Sequence, residues 1–92
     1  RENVEDGPTI QLARMLVNRA SWGEIVGVLE QLKDENPEGI RRVLEAYVTK
    51  VVLNDHSRSK SLTPLLDMLT YPIYGNSIAS IIVISSRWIF GR

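Results

Sequence analysis

Apolar residues recur along this chain at steps of three and four. Ile10, Ala13, Leu16, Val17 and Ala20 form the first run, which predicts a helix from a Thr9 N-cap to about Asn18. Ser21-Trp22-Gly23-Glu24 then reads as a capping box. The Ser21 hydroxyl is placed to accept from the Glu24 N–H, and the Glu24 carboxylate to reach back. Ile25, Val26, Leu29 and Leu32 follow as one apolar stripe. Gly23 and Gly27 each weaken that helix by about 1 kcal/mol relative to Ala, which is expected where another backbone passes close by.

The third run is the most regular. Asn36 caps, Pro37 takes the first helical position, and Glu38 meets the positive end of the helix dipole. Ile40, Val43, Leu44, Tyr47, Val48 and Val51 continue it, so a helix is predicted over 37–54. Residues 55–61 are polar throughout and read as a loop. Thr63-Pro64 repeats the cap-and-proline device before a short helix carrying Leu65, Leu66, Met68 and Leu69. Tyr71-Pro72 ends it, and Gly75-Asn76 is turn chemistry. Ser77 then caps a last element over 78–90. Its β-branched residues favour a strand, but a lone strand in a helical chain has no partner for its backbone groups. Helix is the better reading. The fold class is therefore all-α, a bundle of about five helices over 9–92, preceded by a polar linker at 1–8.

The chain has 92 residues, 11 basic and 11 acidic, and no cysteine. It is long enough for one domain, burying roughly 60–65% of its unfolded surface. Disulfides, thiolate nucleophiles and cysteine-ligated zinc are excluded. Zero net charge argues against a free-standing nucleic-acid binder. The average hides two unlike parts: residues 1–45 hold 6 basic and 9 acidic groups, residues 46–92 hold 5 and 2. Opposite halves favour head-to-tail contact, the geometry that closes into rings. The longest apolar run, Ile78 to Ile84, is far short of the roughly 20 residues of a membrane span. The first residue is Arg1 and the last three are Phe90-Gly91-Arg92, a pattern read as a domain cut from a longer protein.

Few constellations carry chemistry. Asp55-His56-Ser57 holds the residue types of a hydrolase triad, but consecutive residues do not converge, and His56 reads as an exposed loop histidine. Glu30, Asp34, Glu35 and Glu38 lack the ligand spacing of a calcium loop and read as solvated helix ends. Gly75-Asn76-Ser77 lacks the Lys-Ser/Thr pair of a phosphate loop. No catalytic, cofactor or metal residue is therefore assigned. Trp22 reads as a staple of its helix to the core, and Met15 and Met68 as core filler. Arg41 and Arg42 pair with carboxylates at i,i+4 spacing, as Arg41–Glu45 and Glu38–Arg42, or else reach outward to phosphate or a partner. Trp88-Ile89-Phe90 is more bulk than one helix face hides. The candidate protein-interface residues are Trp88, Ile89, Phe90, Tyr74, Arg87, Arg41 and Arg42.

Several segments together resemble a known family. They are Gln11-Leu12-Ala13-Arg14-Met15-Leu16-Val17, Ser21-Trp22, Asn36-Pro37-Glu38-Gly39-Ile40-Arg41-Arg42 with Tyr47 five positions on, and Tyr71-Pro72-Ile73-Tyr74-Gly75-Asn76-Ser77. The chain resembles, over roughly 8–90, the C-terminal collar domain of the ATPase (small) subunit of a phage or phage-like replication clamp loader. It departs from the family pattern at 75–80, which here reads Gly-Asn-Ser-Ile-Ala-Ser.

The resemblance implies a non-catalytic oligomerisation domain that holds AAA+ ATPase subunits in a ring. Its partners would be other clamp loader subunits, of the same or a different kind. It would have no small-molecule substrate and no membrane, and would meet DNA only through the parent complex. The place would be the cytoplasm of a bacterial or phage-infected cell. The alternative is a small helical nucleic-acid-binding module using Arg41, Arg42, Lys50, Arg58 and Lys60 on phosphates.

Overall fold

The computed structural model describes residues 7–91. Five helices and no strand occur among them: α1 (Pro8–Val17), α2 (Trp22–Gln31), α3 (Pro37–Asn54), α4 (His56–Leu69) and α5 (Ala79–Phe90). The segment at 78–90 is a helix, despite its β-branched residues. Leu12, Leu16, Ile25, Leu44, Val48, Leu65, Leu69 and Ile81 are fully buried and draw all five helices onto one core. The linker expected at 1–8 lies mostly outside the described residues.

The helix starts follow capping chemistry, with shifts of register. α1 begins two residues earlier than a Thr9 cap predicts: Gly7 is the N-cap, with Pro8 at the first helical position. Ser21 caps α2 by accepting from the Glu24 N–H at 3.3 Å. Asn36 caps α3 by accepting from the Glu38 N–H at 3.0 Å. Ser77 accepts from the Ala79 N–H at 3.0 Å, although α5 proper starts two residues later.

The polar stretch 55–61 is not a loop. α3 ends at Asn54, Asp55 alone makes the corner, and α4 runs from His56 through Pro64 to Leu69. The run carries no apolar residue, so it has no periodicity to read. Its hydroxyls turn back onto backbone carbonyls, one of them in α3. Ser59 Oγ donates to the Val52 carbonyl at 2.7 Å and Ser61 Oγ to the Arg58 carbonyl at 3.0 Å. Thr63 is no N-cap. Its Oγ1 donates at 3.1 Å to the Lys60 carbonyl, the acceptor that Pro64, lacking an N–H, cannot serve. The buried stripe Leu62, Leu65, Leu69 sets the face.

Two further expectations change. In α2 the buried face is Ile25, Val28, Leu29 and Leu32, while Val26 is 43% exposed. In α3 Val43 is exposed, and the buried stripe is Pro37, Ile40, Arg41, Leu44 and Val48. Among the described residues no other backbone passes Gly23 or Gly27, since nothing lies within 4 Å of a Cβ built on either.

Candidate interaction surface

Three arginines sit where helices end. The last carbonyls of a helix have no intrahelical partner, and the dipole makes that end negative, so a cation is favoured there. Arg41 of α3 donates to the Leu69 carbonyl at the end of α4, at 2.6 Å. Arg58 of α4 donates to Val17 O at the end of α1, at 3.3 Å, and to Asn18 Oδ1 at 2.9 Å. Arg19, just beyond α1, donates to the Trp88 carbonyl near the end of α5 at 2.9 Å. Arg41 also fixes α3 and α4 as an antiparallel hairpin, because the start of one meets the end of the other.

The Arg41 site is the most densely bonded. Its guanidinium grips the Glu38 carboxylate through Nε at 2.7 Å and through Nη2, and reaches Glu45 at 3.1 Å. Glu38 Oε1 in turn accepts from the Ile73 N–H at 2.7 Å, tying the 70–78 connection to α3. These bonds, Arg41 first and then the Ile73 N–H, hold the Glu38 carboxyl at about 2, below its ordinary 4.5. Arg42 adds a 3.2 Å bond from the solvent side. The i,i+4 pairs Arg41–Glu45 and Glu38–Arg42 thus form, with Arg41 itself only 6% exposed.

Trp88 is equally internal. It is 5% exposed, and its Nε1 donates to the Leu16 carbonyl at 2.6 Å. The Arg19 guanidinium lies 3.9 Å from its ring centroid, a cation–π contact. Neither Trp88 nor Arg41 is therefore a surface residue, and their place among interface candidates is corrected. Each is held by hydrogen bonds that only a folded neighbour of the same chain supplies. Ile89 is half-buried against the core. Tyr74, Arg87, Arg42 and Phe90 are exposed, Tyr74 at 87% and Phe90 at 60%.

Exposed apolar side chains lie on α5 and α2, and also on α3 (Val43 and Leu53) and in the 70–78 connection (Tyr71 and Tyr74). Ile82, Val83 and Phe90 of α5 and Val26 of α2 all face outward. The Phe90 ring meets the edge of Trp22 with centroids 5.3 Å apart, linking the two helices. Between them a groove of about 280 Å³ is lined by Trp22, Val26, Ile78 and Ile82. On the other flank of α5 a groove of about 550 Å³ runs against Met68, Tyr71 and Ile73. A third groove, of about 490 Å³, lies between α1 and α3. Its floor is Ile10, Val43, Ala46 and Tyr47, and its rim is Arg14, Arg42 and Lys50.

The three side chains of Asp55-His56-Ser57 do not meet as a triad. Ser57 Oγ donates to Asp55 Oδ1 at 2.7 Å, and His56 is exposed at the start of α4. Among the described residues no three His, Cys, Asp or Glu side chains cluster to hold a metal ion. Glu30 pairs with Lys33 at 2.9 Å, and Glu38 is held by Arg41. No described helix is long and apolar enough to cross a membrane. The two oppositely charged halves of the sequence do not stay apart. Arg14 and Arg42 from the first half and Lys50 from the second line one groove. No known protein family, curated protein or solved structure matches the chain.

The capping roles of Arg19 and Arg58 escape sequence reasoning, since both contacts join residues about 40 to 70 positions apart. Arg41 leaves a trace: it falls on the 37, 41, 44, 48 stripe, the inward face of α3.

Proposed function

We propose that this chain is a non-catalytic oligomerisation domain of the collar kind, joining subunits of a phage-like replication clamp loader into a ring in the cytoplasm. One observation carries the proposal: apolar side chains that the fold leaves outside on α5 and α2, namely Val26, Ile82, Val83 and Phe90. A subunit interface is where a soluble chain keeps such a patch. The segment resemblance supplies the clamp loader context. The nucleic-acid alternative is weakened, because Arg41 and Arg58 donate to carbonyls of this chain and Arg42 to Glu38.

The test is assembly. Fused to a monomeric carrier, residues 1–92 should bring copies of the carrier together in sedimentation velocity. Deleted from a longer protein that bears them, they should take its assembly with them. A carrier that stays monomeric at every concentration overturns the reading.

A further inference from the structure

α5 is joined to the bundle differently from the other helices. It buries two apolar residues, Ile81 and Trp88, where each of the other four buries three or more. Between them on the same stripe lies Ser85, whose hydroxyl is fully buried with no partner among the described residues. The polar ties of α5 gather at its far end: the Trp88 indole donates to the Leu16 carbonyl, and Arg19 to the Trp88 carbonyl. Its first half stands as a ridge between the two grooves of about 280 and 550 Å³.

The connection into α5 is tied down at one point. Residues 71–77 make no backbone–backbone hydrogen bond with any described residue, and the Ile73 N–H bond to Glu38 is what links them to α3. Gly75 there is exposed and left-handed, at φ +99°. The rest of the bundle is cross-tied. Arg41 joins α3 to the end of α4, Arg58 joins α4 to the end of α1, and α2 packs on α1.

We infer that α5 is a lid: hinged in 71–77, it opens as one unit while α1 to α4 stay folded. A segment opens ahead of the whole where it buries little apolar surface and its backbone is bonded to few neighbours. α5 touches all four other helices, so opening uncovers a face to which each contributes. It also adds Ile81 and Trp88 to the apolar side chains already outward at Ile82, Val83 and Phe90. This goes beyond the oligomerisation reading, because it gives a single chain a second state with more apolar surface than the closed one.

Hydrogen exchange of the full 92-residue chain, read amide by amide by NMR, tests the lid. The amides from Val83 to Ile89 should share one opening equilibrium and exchange at least about a hundredfold faster than the slowest amides of α3. Two substitutions then separate the units. Ser59→Ala removes hydroxyl bonds to the Val52 and Asp55 carbonyls at the α3–α4 corner, bonds that the open state keeps. The slow α3 amides should exchange roughly two- to tenfold faster, and the α5 amides at an unchanged rate. Ile81→Val trims the docked face of α5, which both the open and the unfolded states lack, so it should speed both sets by one common factor, roughly two- to tenfold.

If Ser59→Ala speeds α5 as much as α3, the bundle opens only as a whole and the lid is overturned. Rates that climb steadily toward Phe90 overturn it as well, because they mean fraying from the helix end. Should Ser59→Ala move neither set, Leu62→Ala, a buried truncation one turn along α4, repeats the comparison with a larger effect.

Discussion

The two long sides of this bundle use their side chains in opposite ways. Along the α3–α4 hairpin, charge is inside: Arg41 is 6% exposed and bonds to Glu38, Glu45 and the end of α4. Along α2 and α5, apolar bulk is outside: Phe90 is 60% exposed and Val83 46%. Burial here is not a ranking of hydrophobicity. Helix ends demand donors, and an arginine that makes four hydrogen bonds, one of them to a helix-end carbonyl, is a good solution. Apolar residues left over once the core is full then have no place of their own. The hairpin side ties its charges to its own helix ends, and the α2–α5 side leaves apolar side chains in the open.

Trp88 and Phe90, two residues apart on α5, give the sharpest way to break this contrast. Trp88→Ala removes a buried indole and its bond to the Leu16 carbonyl, and should cost about 4 kcal/mol of unfolding free energy. Phe90→Ala removes an exposed ring with one edge contact and should cost about 1 kcal/mol or less. Urea unfolding measures both. Sedimentation should show the reverse order, with the folded Phe90 variant losing association. If Phe90→Ala destabilised the fold as much as Trp88→Ala, the α5 ridge would be part of the core and the contrast would fail.

On the hairpin side, Arg41→Ala should cost about 2–3 kcal/mol, because Glu38 and the Leu69 carbonyl both lose their donor. In a domain of this size that lowers Tm by roughly 10–20 °C. Association should change little. The same clamp predicts an acid response. The Glu38 carboxyl is held near 2 in the folded chain against an ordinary 4.5, so the unfolded chain binds the proton first as pH falls. The stability this group contributes is fully present above pH 4.5 and is lost as pH falls toward 2. Tm against pH should therefore drop more steeply through that window in the parent than in Glu38→Gln.

A smaller gain tests whether the inner face of α5 is as well satisfied as the hairpin. Ser85 Oγ is fully buried with no hydrogen-bond partner among the described residues. Ser85→Ala removes that unsatisfied hydroxyl and should raise stability by about 1 kcal/mol, with no change in association.

The contrast between the two sides was only half legible in the sequence. The starts of α2 and α3 could be read because caps act within three residues: Ser21 on Glu24, Asn36 on Glu38. The stretch 55–61 could not, because what accompanies its helix is packing of Leu62 and hydroxyl bonds to earlier carbonyls, neither of which shows as periodicity. Phe90 was legible as surplus bulk, and Trp88 as an anchor of either the core or an interface, of which the structure shows the core. These residues are two positions apart on the helix and so point to opposite faces, Trp88 onto the buried 81, 85, 88 stripe. Arg41 and Arg42 likewise read alike, yet one faces the core and the other water.

The least perturbing test sits where α1 meets α5, between the two sides. Arg19 is the only described non-glycine residue at positive φ, +53°. It occupies the left-handed position that ends α1: the Arg19 N–H donates to Leu16 O at 3.2 Å and the Ala20 N–H to Met15 O at 2.9 Å, a Schellman motif. Glycine is the ordinary residue there, and an L side chain is strained by about 1–2 kcal/mol. Arginine is present because its guanidinium stacks on Trp88 and bonds to the Trp88 carbonyl. Arg19→Ala and Arg19→Gly both remove that tether, so their difference isolates the backbone. The glycine variant should be the more stable of the two by about 0.5–1 kcal/mol, after the added freedom of its unfolded chain is subtracted. Equal stabilities would mean that the turn relaxes once the tether is gone, and that the Arg19–Trp88 contact, not the helix end, sets the left-handed backbone.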